Sequence, residues 1–257
     1  MISLNARSQF IKLDEETPQK QFPHISMIYD RIFNSRLLDS FYEKLQILKK
    51  THKGVVSIVH IGDSHVASQF YPNVVKNGLE AYFGKGGHDS SGVNYFINGQ
   101  IGARFETFNN NTAFWHSLPT LHADLYIISL GTNDAQGVSF NENLFLTQVK
   151  RMVDNLKKIS PHAAIIFTTA ADSFRNRYPN RLMWVMNISL YNYCAANDLP
   201  VWDLYRTTNG YGSAYNWIKA GMMDADGIHY TGKAYQLQGQ LLFNAIARGY
   251  NAYEGSY

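Results

Sequence analysis

Apolar residues along the chain switch between two rhythms. From 29 to 50 they recur at Ile32, Leu37, Leu38, Phe41, Leu45 and Leu48 with charged residues between them, the spacing of a helix with one buried face. The run V55-V-S-I-V-H-I61, β-branched and nearly continuous, then stops at Gly62, as expected of a strand buried on both sides. The alternation repeats downstream. It predicts helices over 66–83, 142–159, 181–197 and 232–250, and strands over 93–97, 123–130, 163–169 and 199–202. Strands and helices taking turns define an α/β chain, and right-handed crossovers narrow it to a three-layer α/β/α sandwich around a mostly parallel, flavodoxin-like sheet of five strands. Residues 1–25 are polar, with Pro18 and Pro23 interrupting any period, and are expected to form an N-terminal arm before a single domain at 26–257.

Composition narrows the classes of function. The chain is 45% hydrophobic and 17% charged, enough apolar material for a sizeable core, and its net charge of +3 over 257 residues gives no field that would gather nucleic acid. One cysteine, Cys194, excludes an intramolecular disulfide framework and a cysteine-rich zinc site. No apolar run approaches the roughly 20 residues that span a bilayer, so no transmembrane segment is expected.

Ligands in an open parallel sheet bind beyond the carboxyl ends of the strands. Three short polar strings occupy such places: G62-D-S-H65 after the first strand, G131-T-N-D134 after the third, and D226-G-I-H229 before the closing helix. Together with a glycine in N98-G-Q-I-G-A103, they resemble the SGNH (GDSL-type) hydrolases over about 55–239. By position, the resemblance implies a nucleophile at Ser64, an oxyanion glycine at Gly102 with Gly99 as fallback, an oxyanion asparagine at Asn133, and a base with its orienting acid at His229 and Asp226. The form HIGDSHV, with a histidine after the serine, is most similar to the peptidoglycan O-acetylesterase branch. The interval from Ser64 to Gly102 leaves no room for the carbohydrate-binding module that some members insert there.

The residues read alone lead to the same chemistry. A serine hydroxyl needs a base within hydrogen-bond reach, and a strand-to-helix turn exposes its oxygen. An imidazole titrating near neutral pH suits His229 to taking that proton and returning it to a leaving alcohol, with a carboxylate on Nδ1 fixing the tautomer. Asp226 fits that carboxylate; Asp224 is the rival, needing a wider loop. The backbone amides of Ser64 and Gly102 and the side-chain amide of Asn133 are the donors available to an oxyanion. Each also has a plain structural reading: Ser64 as a helix cap, Asp226 as a cap, Gly102 and Asn133 as turn residues.

Asp63 and Asp134 read as loop acceptors rather than metal ligands, and no metal or cofactor is expected. His60, inside a strand, reads as a hydrogen-bonded core histidine, whereas His65 either positions the loop or lines the site. Tyr211, Tyr215 and Trp217 are either sugar-stacking or core aromatics; Tyr215, Trp217 and His65 are carried as substrate-binding candidates. Cys194 reads as an inert buried thiol, and the glycine-rich stretch 84–92 as a loop. The expected activity is serine-dependent removal of O-acetyl groups from a bacterial carbohydrate, peptidoglycan first, outside the cytoplasm behind a leader upstream of Met1, or cytoplasmic if Met1 is the native start. The alternatives are a lipase or thioesterase on the same triad, and a non-catalytic glycan-binding protein.

Overall fold

A computed structural model of the chain describes residues 10–87 and 90–256. Its centre is a six-stranded sheet of β1 (Ile32–Phe33), β2 (Val55–Gly62), β3 (Gly92–Gly99), β4 (Leu125–Ser129), β5 (Ala164–Thr168) and β6 (Val201–Trp202), in the order β1-β6-β5-β4-β2-β3. The five strands expected from the sequence are the parallel ones. The sixth, β1, lies antiparallel on the edge and pairs Ile32 with Trp202 and Phe33 with Val201.

Side chains of successive strand residues face opposite ways, and this alternation builds two cores. Ile58, Leu125 and Ile127 face one layer, where α1 (Asp39–Thr51), α3 (Phe70–Phe83) and α6 (Gly232–Glu254) contribute Phe41, Leu45, Val75, Leu79, Leu241 and Ile246. Val59, Ile61, Tyr126 and Ile128 face the other, against α4 (Glu142–Ile159) and α5 (Arg181–Ala196), with Val149, Met152, Met183, Met186 and Leu190. Helix α4 begins where the Asn141 side chain accepts the Leu144 amide, and it carries Glu142 in its first turn and Lys157 and Lys158 in its last, charges that complement the helix dipole. Helix α5 is likewise capped by Asn180, whose side chain accepts the Leu182 amide. Among the described residues no helix is long and apolar enough to cross a membrane.

Three expectations need correction. The predicted helix over 29–50 starts ten residues late, at Asp39 after a 3₁₀ turn Ser35–Leu38, because Asn34 adopts a left-handed conformation (φ 56°) that ends β1. The predicted helix over 66–83 is two helices, α2 (Ser64–Ala67) and α3, broken at Gln69 (φ 63°). Pro72 marks the restart, since a proline in the first turn forfeits no intrahelical hydrogen bond. The N-terminal arm is not irregular throughout: Glu16–Gln21 is a short helix with Pro18 buried in its first turn, and Ile11, Phe22 and Ile25 join the core. Residues 1–9 of that arm and residues 88 and 89 of the glycine-rich stretch lie outside the described residues.

Candidate active site

The parallel strands end together at one edge, and the polar strings of the sequence converge there. Strand β2 ends at Gly62, where a Cβ would come within 2.2 Å of Val66 Cγ2 and 2.7 Å of the Ser129 carbonyl, so only glycine lets the chain turn into α2 at this point. Asp63, buried, caps α2 by accepting the His65 amide at 3.0 Å. This is the loop-holding role expected of it. The cap sets Ser64 on the first residue of α2, half-buried.

Opposite it, Asp224, Asp226 and His229 lie on a tight loop closed by the Asp224 amide donating to the His229 carbonyl and the Gly227 amide donating to the Asp224 carbonyl. Gly227 has φ 69° and lies against Phe174, leaving a Cβ only 2.7 Å from the Phe174 Cβ, while the Phe174 amide donates to the Gly227 carbonyl. The loop presents His229 Nε2 at 2.9 Å from Ser64 Oγ and His229 Nδ1 at 2.7 Å from Asp226 Oδ2. Asp226 Oδ1 meanwhile accepts the Ile228 and His229 amides at 2.8 and 3.0 Å. Partial burial works against the charge on Asp226, but the hydrogen bonds from the His229 ring and these two amides outweigh it and hold the carboxyl below its ordinary range. The rival acid, Asp224, enters the loop through its backbone.

Asn133 sits in the helical turn Thr132–Ala135 after β4, entered through Gly131 (φ 127°), where a Cβ would meet Met186 Sδ at 2.7 Å. Its side-chain amide donates to the Ala103 carbonyl at 3.1 Å, which ties this turn to the one holding Gly102. The two candidate glycines separate clearly. Gly99 ends β3, and a Cβ there would lie 2.2 Å from the Ala67 amide nitrogen, so this glycine lets β3 approach α2. Gly102 has φ 74° with open space around the missing Cβ, so it is the left-handed turn, not a close approach, that calls for glycine there. Among the described residues, neither the Ser64 nor the Gly102 amide donates a hydrogen bond within the protein. Asp134 beside Asn133 has one carboxylate oxygen buried without a partner; burial pushes its carboxyl up to about 7, against the pull of Arg104.

Beneath this edge lies a buried polar cluster. His60 Nδ1 pairs with Tyr95 Oη at 2.8 Å, and Nε2 with Ser129 Oγ at 2.8 Å and Tyr71 Oη at 3.0 Å. Burial pushes the imidazole down to about 3, so His60 is a neutral core residue. His65, half-buried, joins the site instead: its ring centroid is 5.4 Å from that of His229, and its Nδ1 lies 2.8 Å from Tyr235 Oη. Trp217 is fully buried, stacked on Phe22 at 3.9 Å, so as a substrate-binding candidate it is corrected to a core residue. Tyr215 and Tyr211 remain exposed, and Tyr215 packs edge-on against Phe174 beside the His229 loop. Cys194 is buried, and burial pushes its thiol up, as an inert core position requires. Tyr235 was not singled out by the sequence, in which it is one tyrosine among 17. Its signal was position, the first turn of the helix that follows His229.

Residues 60–237 match the GDSL-like lipase/acylhydrolase family, and the chain belongs to it. Among solved structures, a peptidoglycan O-acetylesterase superposes with a TM-score of 0.77 at 14% identity, covering 83% of this chain and 96% of its own. An acetylxylan esterase from Geobacillus stearothermophilus (TM-score 0.57, 14% identity, 74% and 94% covered) and a lipase/acylhydrolase from Enterococcus faecalis (0.56, 22%, 75% and 96%) share the fold as well. No curated protein matches the sequence.

Proposed function

We propose that this chain is a serine esterase that removes O-acetyl groups from a bacterial carbohydrate, with peptidoglycan as the favoured polymer. The observation that carries the reading is the continuous relay from Ser64 Oγ through both ring nitrogens of His229 to Asp226, at 2.9 and 2.7 Å. In this reading His229 Nε2 takes the Ser64 proton as Oγ attacks the acetyl carbonyl carbon. Asp226, ionised, holds the tautomer and stabilises the imidazolium. The carbonyl oxygen, now negative, accepts hydrogen bonds from the Ser64 and Gly102 amides and the Asn133 side chain, where losing one donor costs on the order of 3 kcal/mol of transition-state stabilisation. His229 then returns the proton to the departing sugar oxygen as its bond to the acyl carbon breaks. A water activated by the same imidazole releases acetate from Ser64. No step calls for a metal or cofactor.

The choice of polymer draws on the peptidoglycan O-acetylesterase of like fold and on the histidine following Ser64. A wall substrate lies outside the cytoplasm, and the protein is placed there with it. Acetate release from O-acetylated peptidoglycan and from acetylated xylan tests the reading. We expect turnover on the former to exceed that on the latter and to vanish in Ser64→Ala. A preference for xylan moves the polymer assignment. Glycan binding with no turnover on any ester, and no labelling of Ser64 by an organophosphonate, leaves the non-catalytic alternative.

A further inference from the structure

Tyr235, in the first turn of α6, is buried, and among the described residues the hydrogen-bond partner of its oxygen is His65 Nδ1, 2.8 Å away. A buried phenol proton needs an acceptor, and this ring nitrogen is the one within reach, so the phenol donates to Nδ1. An imidazole that accepts at Nδ1 carries its proton on Nε2 and is neutral. The His65 ring lies at 34° to the His229 ring with centroids 5.4 Å apart, and it also touches the rings of Tyr230 and Tyr235. The Phe70 ring lies parallel to the phenol, with an interplanar angle of 2° and centroids 6.3 Å apart.

We propose that Tyr235 and His65 are a positioning pair for His229: the phenol locks His65 as a neutral ring with its proton on Nε2, and that ring packs on the His229 imidazole, restraining its rotation without placing a second positive charge beside it. The proposal rests on the reading of His229 as the general base. Charge is the reason a histidine needs such a lock here. The ionisable groups facing His65 are Asp63 from the turn before α2, Asp226, His229 and Tyr230 from the loop that precedes α6, and Tyr235 from α6. The two carboxylates favour a proton on His65, while burial, together with the His229 charge, opposes it and prevails, holding His65 below its ordinary range. A hydrogen bond donated to Nδ1 stabilises the neutral form in the same direction. Were His65 to protonate, it would repel the imidazolium that forms on His229 during attack.

Tyr235→Phe removes one hydroxyl and keeps the ring, so the fold is expected to persist. It withdraws the donor to Nδ1, which raises the affinity of His65 for a proton. We expect kcat to fall about tenfold with KM within about twofold, the loss of an interaction that matters mainly in the transition state. We also expect the acid limb of the kcat profile to move to higher pH and steepen, since two protonations now inhibit. Adding His65→Phe, which keeps a ring against His229 but cannot protonate, should restore a single-proton acid limb. An unchanged kcat and acid limb in Tyr235→Phe overturns the proposal, and so does a raised KM at constant kcat, which would make the pair a substrate contact. Imidazole nitrogen NMR of the wild-type protein gives a readout independent of turnover. A neutral His65 with its proton on Nε2 is expected. A proton on Nδ1 overturns the proposal even if the protein hydrolyses no ester, whereas loss of the esterase reading alone would appear as wild-type inactivity with that tautomer intact.

Discussion

His229 and Asp226 are three residues apart, yet their side chains are joined only because Gly227 turns the loop between them. About half of each side chain is open to water, with 40% of His229 and 46% of Asp226 accessible, so the hydrogen bond between them contributes modestly in the ground state. In the proposed mechanism its value lies in the imidazolium that forms as Ser64 attacks. Asp226→Asn is therefore expected to lower kcat by two orders of magnitude or more, on the order of the losses seen when an orienting carboxylate is neutralised, with a much smaller effect on KM. Groups that act as one unit do not lose activity additively, so Asp226→Asn on top of His229→Ala should cost little beyond His229→Ala alone. Steady-state kinetics on a nitrophenyl acetate checks both. Multiplying losses, or greater damage from Asp224→Asn, would move the orienting role away from Asp226.

At the scale of elements, two glycines near the end of β3 have opposite jobs. A Cβ at Gly99 meets the backbone of Ala67, which cannot yield without moving α2 and Ser64 with it. Gly99→Ala is expected to destabilise the protein by about 1–3 kcal/mol or more and to cut kcat as well, because the strained contact is with the helix that carries the proposed nucleophile. Gly102→Ala meets no atom but forces a non-glycine residue to φ 74°, a penalty of roughly 1–2 kcal/mol. Its thermal melt should shift less than that of Gly99→Ala, while kcat falls if the turn relaxes and withdraws the amide. Equal melting shifts in the two variants would contradict this division. Both glycines stood out in the sequence, but their roles did not, because a contact between β3 and α2 is tertiary. The parallel strands were legible for the converse reason: burial on both faces leaves a continuous apolar run such as that of β2, which no helical period disguises. Strand β1 was not legible. Two residues carry no period, and Ile32 fits a helical spacing as well as it fits a strand, so only its pairing with Trp202 defines it. In the candidate site, Ser64 and Asn133 announced themselves as polar residues just past strands, and Asp226 and His229 as a polar pair just before the closing helix, whereas the burial of Trp217 depended on Phe22, nearly 200 positions away along the chain.

Taken as a whole, the molecule buries several carboxylates and encloses little space around its relay, and each fact sets a measurable property. Asp30 is fully buried, accepting the Trp202 indole at 3.1 Å, with the Arg248 guanidinium 4.0 Å from its other oxygen; burial still pushes it up to about 7 from an ordinary 3.8. Between those two values the folded protein holds a proton that the unfolded chain has lost, so this group's contribution to stability declines as pH rises through that window and stays reduced above it. Asp30→Asn keeps an acceptor for Trp202 and cannot ionise, so its melting temperature should drop less than the wild type's between pH 5 and pH 8; parallel curves would remove Asp30 from the account. The enclosed space concerns the acyl group. The cavity lined by Asp63, His65, Ile228 and Tyr230, the neighbours of Ser64 and His229, has a volume of about 30 Å³, room for a water rather than an acyl tail. Neither that cavity nor a larger apolar cleft of about 310 Å³, between Trp184, Ile188, Tyr191 and Arg206, is lined by Ser64, Asp226 or His229. A tail that finds a buried channel gains about 0.8 kcal/mol per methylene, close to a fourfold rise in kcat/KM at each step. Among the described residues neither of these two cavities opens onto the relay side chains, so kcat/KM on nitrophenyl esters is expected to be greatest for acetate and to decline through butyrate to octanoate. A profile that climbs with chain length would show that a channel opens on binding, and would transfer the assignment from a carbohydrate acetylesterase to a lipase working through the same three residues.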